Sequence, residues 1–171
     1  MTKDIREQVE ETTNELLKLV LSFREEEMNV IPFKDSWTVA QVAEHVTKSN
    51  ISMIQSLSTQ GKTSFRNADE GAQKLKEIFL NFTSKLQSPK FILPTRNTYS
   101  KEIVVADLKN SIEQINGLSK RVNLSESVNH RVFGEITKFE ILHFVVYHTQ
   151  RHIHQLKNIF QQVKNNSTER V

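Results

Sequence analysis

TKFEILHFVVYHTQRHIHQLKNI, residues 137–159, reads as one long helix with two histidines set into its apolar face. At about 3.6 residues per turn, Ile141, Val145, His148, His152, Gln155 and Ile159 fall on a single stripe, so imidazoles stand where aliphatic side chains are the rule. His148 and His152 are one helical turn apart. Their side chains stand about 5 to 6 Å apart on one side of the helix and can ligate one metal ion without bending the backbone. His143 and His154 lie about 140° and about 240° around the helix from His148, which predicts partly exposed or interface positions for both. Thr137 and Glu140 form a capping box, stapled by Ile136 and Ile141, that fixes where this helix begins.

A second helix start is written as clearly in WTVAQVAEHV, residues 37–46. Thr38 and Gln41 make a capping box, with Trp37 and Val42 as the hydrophobic staple. Val42, His45, Val46, Ser49 and Met53 then share the inward stripe, so His45 faces the core little more than a turn from the helix start. One core histidine is ordinary. Three on inward faces require several internal hydrogen bonds, whereas a metal satisfies one nitrogen of each together.

The remaining pattern supplies the scaffold. Ile5, Val9, Leu16, Val20 and Phe23 mark a first amphipathic helix over about residues 3–26, whose acidic end, Glu25 to Glu27, reads as solvated. The polar stretch GKTSFRNAD (61–69) leads into a third helix capped by Asn67 and Glu70, with Ala68, Ala72, Leu75, Phe79, Phe82 and Leu86 as its stripe. Pro89 and Pro94 bracket the extended segment KFIL, for which no partner strand is visible. Val105, Leu108, Ile112, Ile115 and Leu118 give a fourth helix over about 104–121, and VNLSESVNHRVFGEI (122–136) reads as a linker holding His130 and Gly134. The expected fold class is all-α: a four-helix bundle, with the additional short helix at 68–86 packed on one side. Residues 1–165 form one domain, and 166–171 are expected as a disordered tail.

Composition excludes several classes. The 171 residues contain no cysteine, which removes disulfides, thiolate zinc sites and cysteine nucleophiles and leaves six histidines as the chief ligands for a metal. With 23 basic against 20 acidic residues spread along the chain, the net charge of +3 is too small and too dispersed for a nucleic-acid surface. No apolar run is long enough to span a bilayer and the N-terminus is charged, so a cytoplasmic protein without membrane attachment is expected.

WTVAQVAEHV, FGEITKFEILHFVVYHTQRHIHQL (133–156) and the order of one histidine followed by a spaced pair resemble the DinB-like metalloprotein superfamily, which includes YfiT-like metal-dependent hydrolases and bacillithiol transferases. The resemblance covers nearly the whole chain and implies a four-helix bundle with long cross-connections. It implies a three-histidine site for a divalent metal, with one ligand on the second bundle helix and two on the last, and these positions correspond to His45, His148 and His152. Zinc or nickel comes ahead of iron or copper as the ion. The implied function is metal-assisted activation of a thiol or water for transfer to, or hydrolysis of, a small molecule, with a low-molecular-weight thiol as a partner and a homodimer as the assembly. Gln155 and Ser49 are positioned on their stripes to touch a substrate. The alternative is a non-catalytic metal-binding or stress-response bundle.

Overall fold

The apolar stripes close on one another as four long helices. The structure, a computed structural model, describes the backbone of residues 3–168 and the side chains of residues 3–165. In it α1 spans Ile5–Leu21, α2 Val39–Ser58, α3 Ala68–Phe79, α4 Lys101–Ser119 and α5 Lys138–Thr168. Helix α1 packs on α4 and α5, and α2 packs on the same two, so the four form a ring in which α1 stands diagonally from α2 and α4 from α5. Each of those consecutive pairs is therefore joined by a connection that crosses an end of the bundle. Helix α3 lies outside the ring against α5.

The core divides into two apolar clusters. One is built around Phe23, Met28, Val42, Leu108, Leu156 and Ile159. The other is built around Val9, Met53, Leu57, Ile115, Ile141 and Val145. Along α5 the clusters meet between Val146 and Ile153, the interval that holds His148 and His152.

The bundle also carries a small antiparallel sheet that the helical reading leaves out. Its strands are β1 (Lys62–Thr63), β2 (Glu126–His130) and β3 (Gly134–Thr137), in the order β1-β2-β3. The segment 122–136 is thus a hairpin and not a plain linker. His130 pairs with Gly134 across a three-residue loop, and Gly134 has φ +67°, the left-handed conformation that such a loop closes with. Val128 and His130 are two apart and both are buried, as strand geometry requires, and β2 rests against α2 and α5.

Several element ends differ from the sequence reading, each for a physical reason. Helix α3 stops at Phe79 and not at residue 86, because the Asn81 side chain accepts from the backbone N–H and hydroxyl of Thr83 and turns the chain. Asn67 caps α3 through the Asp69 N–H, while Glu70 reaches forward to Lys74 and does not close a box. Helix α1 ends at Leu21, and the acidic run forms a 3-10 turn, Glu25–Glu27. Glu27 is buried there, 2% exposed, where it accepts from Arg24 and Lys164 and is not a solvated end. KFIL is no strand: Lys90–Ile92 make a single 3-10 turn. Helix α5 continues past residue 159 because Val163 extends its buried stripe, and it takes in the first three residues of the expected tail; residues 169–171 lie outside the described residues.

Candidate metal centre

The three histidines on the inward stripes arrive at one point. His45 comes from α2, whose start is held by the reciprocal Thr38–Gln41 box at 3.2 and 3.0 Å. His148 and His152 come from α5, whose start is held by the Thr137–Glu140 box at 3.1 and 2.7 Å. The Nε2 atoms of His45 and His152 each lie 3.1 Å from Nε2 of His148. All three side chains are buried, at 1%, 5% and 6% exposure for His45, His148 and His152.

The outer nitrogens fix which way the rings face. His45 donates its Nδ1–H to the Ile92 carbonyl at 2.9 Å, and His152 donates its Nδ1–H to Oε1 of Gln155 at 2.8 Å. That gives the KFIL segment its role. It runs along α2, with Lys48 donating to the Leu93 carbonyl and Glu44 accepting from Thr95, and so brings the Ile92 carbonyl to the ring of His45. With Nδ1 protonated on His45 and His152, both Nε2 atoms are acceptors, and the three facing nitrogens hold at most one proton between them. One proton shared between two acceptors in a buried site is poor compensation for three lone pairs; a divalent cation satisfies all three.

Electrostatics favour the form of imidazole that a metal needs. Burial pushes His45 below the ordinary histidine value, although the Ile92 carbonyl opposes it. Burial, followed by the proximity of His152 and His45, holds His148 well below that value. His152 is lowered to about 3, again by burial first and then by His45. The surroundings are aromatic: Phe144 stacks on His148 with centroids 5.0 Å apart, and Trp37 lies 5.0 Å from His45. All three rings are therefore neutral at physiological pH, ready to donate a lone pair. Among the described residues, His45, His148 and His152 form a group able to hold a metal ion.

The triad opens into a cavity of about 1020 Å³. Ser49, one turn beyond His45, is buried and lines it, as does Gln155. Arg151 is a brace, donating to the carbonyls of Phe79, Asn81 and Ser84, which holds the loop after α3 along the cavity wall. His143 and His154 stand apart from the triad as expected. His143 bonds the Tyr147 hydroxyl at 3.0 Å, and His154 stacks on Phe82 at the cavity. His130 is the cavity residue that the sequence reading leaves without a role. Gly134 together with the two-residue spacing of Val128 and His130 is the signal that would have turned the linker into a hairpin and His130 toward the bundle.

Known proteins agree with this architecture. The crystal structure of TT2238, a four-helix bundle protein, superposes with a TM-score of 0.58 at 18% identity, covering 90% of this chain and 96% of that one. YfiT from Bacillus subtilis, described as a probable metal-dependent hydrolase with an unusual four-helix bundle topology, gives 0.58 at 19% identity, covering 92% of this chain and 84% of that one. At such identities the likeness speaks for the fold. An uncharacterised protein of Bacillus subtilis (strain 168), YuaE, is 24% identical over 157 residues, which is 90% of this chain and 93% of YuaE. No helix among the described residues is long and apolar enough to cross a membrane. The sequence profile of the DinB superfamily matches residues 8–156, and the chain belongs to that superfamily.

Proposed function

We propose that this protein is a metal-dependent enzyme in which His45, His148 and His152 hold one divalent ion, zinc or nickel, and in which a thiol or water is activated toward a small molecule bound in the adjoining cavity. The observation that carries this reading is the convergence of three neutral, buried imidazoles lining that cavity, with the Nε2 atoms of His45 and His152 each 3.1 Å from that of His148. A three-histidine site leaves coordination open, and an ion bound there supplies Lewis acidity that lowers the pKa of a thiol or water. The description of YfiT as a probable metal-dependent hydrolase supports the same class.

The chain's own groups do the positioning. The Ile92 carbonyl and Gln155 Oε1 hold two of the rings in one tautomer and one orientation. Ser49 offers a hydroxyl one turn beyond His45, placed to contact the reacting end of a substrate. Phe79, Phe144 and Trp37 pack on the rings of the triad and limit its contact with bulk solvent, which strengthens electrostatic interactions within the site.

The test is a turnover screen on zinc- and nickel-loaded protein, using aryl esters for hydrolysis and chlorodinitrobenzene with low-molecular-weight thiols for transfer. The expected result is turnover that disappears on chelation, returns with the ion and is absent in His148→Ala. Turnover indifferent to chelation would contradict the reading, and metal uptake without turnover on any substrate would favour a non-catalytic metal-binding bundle.

A further inference from the structure

Ser52 lies seven residues beyond His45 on α2, two turns and about 10 Å further along the helix axis. Its hydroxyl oxygen is 3.0 Å from Nε2 of His130. The Nδ1 atom of His130 accepts the Val132 backbone N–H at 3.1 Å, so the ring proton sits on Nε2 and is donated to Ser52. This direction has two consequences. His130 is not a base toward Ser52, so it does not activate that serine as a nucleophile. The Ser52 hydroxyl, already accepting, keeps its own proton for an acceptor, and none is described for it within the protein among the described residues.

Ser52 and His130 both line the cavity that contains the triad, with Met53, Phe133 and Phe144 also on its wall. Asp35 is the one carboxylate lining it among the described residues, against Lys34, Lys85 and Arg151, so an electron-rich ligand meets little opposition there. We propose that Ser52, oriented by His130, is a second binding station of the cavity. It donates a hydrogen bond to an acceptor, a carboxylate or amide carbonyl, at the far end of an elongated apolar substrate whose reacting end lies at the triad. Ser52 touches the ligand in this account, and His130 is a positioning residue that acts through it. The inference rests on the metal-dependent reading above and adds the substrate's shape: apolar body, reactive head, accepting tail.

Calorimetric titration of zinc-loaded protein with two hydroxamates tests it. Octanohydroxamic acid carries a metal-binding head on an apolar chain, and suberic acid monohydroxamate adds a carboxylate at the other end. The quantity read is the ratio of the two affinities. The expected result is that Ser52→Ala lowers the preference for the carboxylate-bearing compound about tenfold, the size of a charge-assisted hydrogen bond, while leaving octanohydroxamate affinity unchanged. His130→Gln should lower it in the same direction, and Ser52→Thr should restore it. An affinity ratio that is the same in wild type and Ser52→Ala overturns the proposal, as does wild-type protein that binds octanohydroxamate but not the carboxylate-bearing compound. Hydroxamate binding that persists in His148→Ala or without zinc instead overturns the metal reading, and absence of binding by both compounds overturns the two together.

Discussion

The outer nitrogen of His152 is tied to Gln155, one turn further along the same helix, while its Nε2 faces His148. Gln155→Leu removes that acceptor at similar volume and frees the ring to rotate or change tautomer. Zinc affinity should fall by about 10- to 100-fold with helix content unchanged, as measured by competition with a chromophoric chelator. Unaltered affinity would show that the orientation is set by packing alone. A second single residue, Glu27, contributes to behaviour in acid. Burial by itself would raise the Glu27 carboxyl, but the Arg24 backbone N–H and the Lys164 and Arg24 side chains outweigh it and hold the group at about 2. The unfolded carboxyl titrates near 4.3, so below that value the unfolded chain takes up the proton first. Glu27 therefore contributes its stability above about pH 4.5 and loses it as pH falls through about 2, a contribution of roughly 3 kcal/mol. Thermal melts of Glu27→Gln should show lower stability at neutral pH and a shallower decline between those two pH values. A parallel decline in variant and wild type would refute the assignment.

The starts of α2 and α5 are fixed by side chains within one helical turn, which is why they were legible in the sequence while the end of α3 was not. Capping boxes at Thr38 and Thr137 need only side chains three residues apart, and both form as read. The end of α3 depends on an Asn81 turn and on Arg151 drawing nearby carbonyls toward α5, contacts made 67 to 72 residues away in sequence. The β2–β3 hairpin escaped notice because its strands are short and their partner β1 has two residues. At the α3–α5 contact a specific test is available. A Cβ added at Gly71 would come within 1.6 Å of Oε1 of Glu140, and that carboxylate cannot swing aside because it caps α5 and receives Arg66. Gly71→Ala should destabilise the protein by about 1 to 3 kcal/mol in denaturant unfolding, despite the better helix propensity of alanine. Neutral or increased stability would mean that α3 can shift away from α5 at little cost.

Across the whole molecule, crossed connections put α2 next to α5, and this adjacency brings His45 to a pair of histidines more than 100 positions later. The four amphipathic helices and the inward faces of the three ligand candidates could be read from periodicity, since each depends on one helix at a time. The tautomer-fixing contact from Ile92 and the place of His130 could not, because both depend on where a connection between helices comes to rest. The central claim is that these three imidazoles, and no other histidines, hold one metal ion. Elemental analysis of untagged protein, loaded with zinc and dialysed, tests it across wild type, His45→Ala, His148→Ala, His143→Ala and His154→Ala. The account predicts one zinc per chain in wild type and in the His143 and His154 variants, with strong loss in the His45 and His148 variants; equal retention or equal loss across all four variants would contradict it.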